Sequence, residues 1–140
     1  MPNTPTNEPR ALILLAEDDT DSREMYAVAL ALDGFQTVEA ADGAQALARI
    51  AERVPDVVVT DLSLPGMDGL ELCARLKGDA RTQHVPILAL TGSALEEQVQ
   101  RAQRAGCARV LIKPFPPDLL GREIAQVLAA AGLTRPPARS

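Results

Sequence analysis

The sequence is short of clustered basic residues, of paired cysteines and of long apolar runs, and each shortage removes a class of function. Lysine and arginine number 14 against 19 acidic residues, for a net charge of −5. No Lys/Arg cluster interrupts that excess, which argues against direct contact with nucleic acid, since DNA-binding modules carry a basic patch or stripe. No stretch approaches the ~20 apolar residues needed to span a bilayer, so membrane insertion is not expected. Nor does a basic segment followed by an apolar one open the chain as a secretory signal would, so the cytoplasm is the expected address. The two cysteines, Cys73 and Cys107, lie far apart and match no metal or redox spacing. They read as small buried hydrophobes. The sole histidine, His84, falls in a loop and reads as a surface residue. Lysine is rarer than the total suggests, with only Lys77 and Lys113; the second ends an apolar run.

What is present is an ordinary globular composition. The chain has 140 residues, 46% apolar and 24% charged, enough for one domain with a real core. That domain is expected over residues 10–132. The ends, 1–9 and 133–140, are rich in proline and polar residues and read as flexible tails. Between them, five strands are expected at Ala11 to Ala16, Gln36 to Ala40, Asp56 to Thr60, Pro86 to Leu90 and Arg109 to Ile112. Each is a short run apolar on both faces, as suits a parallel sheet covered by helices on each side.

Helical stripes at a 3.6 period separate the strands. Met25, Val28, Ala29 and Leu32 form the first, and Ala44, Leu47, Ile50 and Ala51 the second. Leu72, Cys73 and Leu76 form the third, Leu95, Val99 and Ala102 the fourth, and Leu120, Ile124, Val127 and Leu128 the fifth. Asp42-Gly43 predicts a turn and an N-cap, while Asp33-Gly34 and Ala105-Gly106 close helices. The sum is an α/β chain, a flavodoxin-like (βα)5 doubly wound sandwich with a parallel sheet of order 2-1-3-4-5. In such sheets the ligand site lies beyond the carboxyl ends of the strands, at the switch in strand order. Here that is the crevice between the first and third strands. No output domain is expected beside this one.

The residues that follow each strand meet at that rim. They are Glu17, Asp18 and Asp19 after the first, Asp61 after the third, Thr91 and Gly92 after the fourth, and Lys113 and Pro114 after the fifth. Carboxylates gathered in one pocket either raise a pKa or bind a cation. All-oxygen ligands of this kind suit Mg²⁺. An aspartate beside such a metal can act as a nucleophile toward phosphorus, with metal and lysine stabilising the charge in transit. A hydroxyl can bond a phosphoryl oxygen and so report it. Each residue also has a bland reading, as strand end, turn cap or surface charge. Asp19 and Asp21 read as acids at a helix start, favoured by the macrodipole.

Four motifs in order carry a resemblance to a known family: LLAEDD at 14–19, VVVTDLSLPGMDGLEL at 57–72, PILALTG at 86–92 and LIKPF at 111–115. The sequence resembles the receiver domains of two-component response regulators over roughly residues 11–131. By position, the resemblance implies that Asp61 is the phosphoacceptor, Thr91 the switch hydroxyl and Lys113 the phosphate-pairing lysine. It implies a Mg²⁺ (or Mn²⁺) site made by Asp18, Asp61 and the backbone carbonyl of Ser63, with Glu17 reached through water. It also implies a cis Lys113-Pro114 bond, and Gly92 would leave room for the acceptor to be approached. The implied partners are a sensor histidine kinase or a histidine phosphotransfer protein, since His84 is no phosphodonor, and a downstream protein target. A homodimer is a further expectation. Kinase choice would lie on the first helix, with Arg23, Tyr26 and Ala27 as candidates for its exposed face.

One departure stands out. Many receivers carry an aromatic on the fifth strand three residues before the lysine; here that residue is Val110, and aromatics total only 2% of the chain. Output is therefore expected through the loop before the fourth helix and that helix's face. Two other classes compete. A phosphohydrolase with an aspartate nucleophile often has an acid two residues later, where this chain has Ser63. A pseudo-receiver that only binds usually lacks one of the acids, the threonine or the lysine, all of which are present. The chain is expected to assist its own phosphorylation and dephosphorylation without being an enzyme in the usual sense.

Overall fold

The computed structural model describes residues 10–132, and the expected tails at 1–9 and 133–140 lie outside the described residues. Five strands alternate with five helices: β1 (Leu12–Ala16), α1 (Thr20–Leu32), β2 (Gln36–Ala40), α2 (Gly43–Glu52), β3 (Val57–Asp61), α3 (Gly69–Lys77), β4 (Ile87–Thr91), α4 (Glu96–Arg104), β5 (Arg109–Ile112) and α5 (Pro117–Ala130). The sheet runs β2-β1-β3-β4-β5 with every pairing parallel, as expected. Relative to the expected limits, β3 and β4 each sit one residue further on. Asp61 and Thr91 therefore end strands rather than follow them.

Burial follows position in the sheet. All five positions of β1, β3 and β4 are buried, whereas the edge strands β2 and β5 are partly exposed. Side chains alternate across the pleat. Ile13, Leu15, Val57, Val59, Leu88 and Leu90 face one core with α1 and α5. Leu14, Ala16, Val58, Ile87 and Ala89 face a second with α2, α3 and α4. Asp19, Asp42 and Asp68 cap α1, α2 and α3, accepting from the N–H groups of Ser22, Gln45 and Glu71. Gly34 and Gly106 take positive φ just past α1 and α4, where a side chain would be strained.

Two helix faces differ from expectation. On α1 the buried residues are Tyr26, Ala27 and Leu30, while Met25, Val28 and Leu32 are exposed. After the polar start TDSRE, the run MYAVALAL is apolar on every side, so period alone cannot choose its inward face; packing against both the sheet and α5 does. On α2, Ala46 and Ile50 are buried and Leu47 half-buried, but Ala44 and Ala51 are exposed. The two misplaced members are alanines, whose single methyl carries little directional signal. At the start of α2, a Cβ placed on Gly43 would lie 2.9 Å from Met67 Cβ, so a side chain there would force a shift. Leu95 stands at the N-cap of α4 and is also exposed.

The cysteines are buried and free, as read from sequence. Their spacing nevertheless hid an adjacency. The Sγ atoms of Cys73 and Cys107 lie 3.6 Å apart, and the Cys73 thiol donates to the Ala105 carbonyl at 3.0 Å.

Candidate functional site

Strand register assembles the rim. Ala16 pairs with Thr60, so Glu17 and Asp61 emerge side by side one step later. Thr91 pairs with Ile112, so Lys113 emerges just beyond it, and the Lys113 N–H donates to the Thr91 carbonyl at 2.8 Å. Lys113 then reaches back across the sheet edge. Its Nζ donates to Asp61 Oδ2 at 2.7 Å and to Glu17 Oε1 at 2.8 Å. The remaining oxygens are also engaged: Ser63 N–H donates to Asp61 Oδ1 at 2.8 Å, and Asp19 N–H to Glu17 Oε2 at 3.1 Å.

Glu17 and Asp61 are buried, Asp18 is exposed, and the three carboxylates offer oxygens within 4.8 Å of one another. Burial pushes the Glu17 carboxyl above the ordinary range, partly offset by its bond to Lys113. Burial would lower the Lys113 pKa, but the Asp61 and Glu17 carboxylates override it and hold the ammonium above its ordinary value. One cation thus serves a cluster with three acids, leaving an excess of negative charge. A small all-oxygen pocket of this kind fits a hard divalent cation.

Thr91 is buried at the same rim, but its hydroxyl is turned to its own loop, accepting from Ser93 N–H at 3.1 Å. Ser63 is exposed in the loop after β3. The Lys113–Pro114 peptide bond is cis. Two glycines have opposite surroundings. A Cβ on Gly69 would meet the Asp61 carbonyl oxygen at 2.5 Å and Leu62 Cα at 2.7 Å, whereas one on Gly92 would meet nothing within 4 Å. Gly69 lets α3 start directly against the strand end that carries Asp61, whereas the space beside Gly92 is open.

Two residues near the rim have contacts that sequence reasoning did not anticipate. Arg23 donates to the Glu17 carbonyl at 2.8 Å and pairs with Glu39 at 3.1 Å. Tyr26 donates to the Phe115 carbonyl at 3.0 Å. Tyr26 and Ala27, expected on the exposed face of α1, are instead buried, because α1 turns this side toward the sheet and α5. Nothing in the run MYAVALAL, apolar on every side, marks the tyrosine as inward. Its buried O–H, which needs a partner, is the only clue available.

The model of the response regulator receiver domain matches residues 13–125. Among curated proteins, the phosphate regulon transcriptional regulatory protein PhoB of Pseudomonas aeruginosa is 38% identical over 120 residues, covering 86% of this chain and 52% of that protein. The DNA-binding response regulator MtrA of Mycobacterium tuberculosis is 38% identical over 111 residues, covering 79% of this chain and 47% of its own length. The chain thus spans about half the length of the curated relatives it matches. Among solved structures, the chemotaxis protein CheY4 of Vibrio cholerae superposes with a TM-score of 0.81 at 31% identity, covering 86% of this chain and 100% of that one. A CheY-like receiver domain protein from Methanospirillum hungatei gives 0.82 at 25% identity, covering 89% and 98%. This chain belongs to the response regulator receiver domain family, the signal-receiving module of two-component systems.

Proposed function

We propose that the chain accepts a phosphoryl group on Asp61 from a histidine kinase or histidine phosphotransfer protein, and that the modified rim changes which protein it contacts. The observation that carries this reading is Lys113 Nζ bridging Asp61 and Glu17 at 2.7 and 2.8 Å. An ammonium already at the acceptor oxygen is placed to pair with the incoming phosphoryl oxygens. Asp18 and Asp61 would hold Mg²⁺ or Mn²⁺ directly, with the Ser63 carbonyl completing the set and Glu17 acting through water. When bound, the ion supplies charge neutralisation for the group in transfer.

The transfer itself is one displacement. An Asp61 carboxylate oxygen forms the new O–P bond as the P–N bond of the phosphohistidine breaks, and the imidazole nitrogen keeps the electron pair. Lys113 moves its bonds from the carboxylates to the phosphoryl oxygens. Thr91 gives up its contact with Ser93 and donates to a phosphoryl oxygen, drawing the β4–α4 loop toward the site. Signal leaves through that loop and the α4, β5 and α5 face, either to a downstream protein or, in a relay, back to a second histidine. A homodimer through that face is one form the contact can take.

The donor docks on α1, and the exposed Met25 and Val28 replace Tyr26 and Ala27 as the contact residues. A cleft of about 540 Å³ between Met25 and Pro116 adjoins them, with Lys113 in its wall. No helix among the described residues is long and apolar enough to cross a membrane, in keeping with action in the cytoplasm.

The test is intact mass after incubation with Mg²⁺ and a small-molecule phosphodonor, comparing the native chain with Asp61→Asn. One phosphate on the native chain and none on the variant is expected. Phosphate that persists on the variant, or none on either, overturns the assignment. Amide shifts of residues 91–105 should change on phosphorylation; if they stay fixed, the proposed output route is wrong.

A further inference from the structure

We propose that Tyr26 is a positioning residue for phosphoryl transfer, its hydroxyl holding the loop that carries Lys113 against α1 through the Phe115 carbonyl. This rests on the reading of Asp61 as phosphoacceptor.

Among the described residues, few other bonds fix that loop. The backbone of Lys113 makes its ladder bond to Thr91 and then leaves the sheet. Of residues 114–117, three are prolines, which have no N–H to donate. The Pro116 carbonyl serves the first turn of α5, accepting from Leu119 N–H at 3.1 Å, and Pro116 gives that helix no side-chain cap. The Phe115 carbonyl is tied to a different element, and the tie is Tyr26, 89 residues away in sequence, at 3.0 Å. The Phe115 ring packs on the core beneath, but ring packing leaves the backbone plane free to turn, and a hydrogen bond to the carbonyl fixes it.

Tyr26 suits the task. It is the chain's one tyrosine and is only 2% exposed. Burial pushes its phenol pKa up, and the charges of Lys113, Glu17 and Asp61 all act on it, which places the hydroxyl within the field of the site. Lys113 must hold its ammonium within hydrogen-bond reach of two buried carboxylates from a loop on the far side of β3. A carbonyl swing two residues downstream moves the Lys113 backbone, and the price of misplacement at a transferring group is rate.

Tyr26→Phe removes the hydroxyl and keeps the ring, so core packing is retained. With two lysines in the chain, side-chain Nζ and Cε resonances of isotopically labelled lysine give a two-residue spectrum. Lys113 reports the site and Lys77, on α3, serves as the internal control. The expected result has two parts. The Lys113 resonances shift while those of Lys77 stay. The maximal rate of Asp61 phosphorylation by acetyl phosphate falls about threefold to tenfold, the scale of one lost hydrogen bond, at unchanged half-saturating donor concentration. Shifts at both lysines would make Tyr26 a packing residue and overturn the proposal. So would a native rate, an unmoved Lys113, or a loss confined to half-saturation. If the native chain took no phosphate at all, the functional reading would fall and this inference with it, even if Lys113 alone shifted in the variant.

Discussion

The rim at β1, β3 and β5 and the α4 region lie on the same domain but are held very differently. At the rim, both oxygens of Asp61 and both of Glu17 have donors, and Lys113 locks the two acids together. Its neighbouring helix α3 is capped by Asp68 and buries Leu72, Cys73 and Leu76. By contrast, α4 starts at Leu95 with no side-chain cap and buries one residue, Ala102. Val110, on the adjoining β5, is a small aliphatic residue and only partly buried. Elements with few buried contacts open at the least cost. If Asp61 is the phosphoacceptor, as proposed, the contrast is a division of labour: a rim held by several bonds for the chemistry, and a thinly anchored α4 to respond to it.

Breaking the rim should have the largest effect. Lys113→Met leaves two buried carboxylates without their cation and the phosphoryl oxygens without an ammonium. A fall in phosphorylation rate of about a hundredfold is expected, the scale of losing one preorganised charge partner. Single-turnover kinetics with acetyl phosphate check it, and a loss under threefold would show that the lysine is dispensable.

Next comes Gly69→Ala, whose Cβ would run into the Asp61 carbonyl and Leu62 backbone. Overpacking against backbone should cost about 1–3 kcal/mol, read as a lower urea midpoint. Gly92→Ala, open on all sides, should leave the midpoint unchanged. Equal effects at the two glycines would remove the argument for a tight α3 start.

The loose region offers the converse test. Leu95→Asp gives α4 the cap it lacks and should add about 1 kcal/mol. Amide exchange across residues 96–104 should slow, and the phosphorylation-dependent shifts there should shrink. An unchanged exchange rate would mean that α4 is already held by something other than its cap.

The smallest effect expected is a pH trend. With metal chelated, the raised Glu17 carboxyl favours the folded state when protonated. That contribution is complete below its ordinary value of 4.5 and is lost as pH rises through the raised folded value. Denaturant midpoints of Glu17→Gln minus native should therefore grow from acid toward neutral pH. A difference that stays flat would mean that Lys113 fully offsets the burial of Glu17.

Much of this was legible in the chain. The central strands could be read because they are apolar on both faces, and α3 and α5 because Leu72 with Leu76, and Leu120, Ile124 and Leu128, recur four apart on one face. Glu17, Asp61, Thr91 and Lys113 could be placed together because each ends or follows a strand, and parallel strands all deliver their ends to one rim. The inward face of α1 could not be read, since Met25, Tyr26, Ala27, Val28 and Leu30 offer apolar surface in every direction. Nor could the Cys73–Cys107 contact, which depends on how α3 packs against the turn after α4.

The order of elements, the parallel sheet and the rim residues follow from the chain read locally, because periodicity and turn chemistry are local properties. Tertiary packing alone sets which Asp61 oxygen meets Lys113 and that Tyr26 reaches Phe115. Those are distances between residues remote in sequence, and they are set by strand register and helix rotation, which no local pattern encodes.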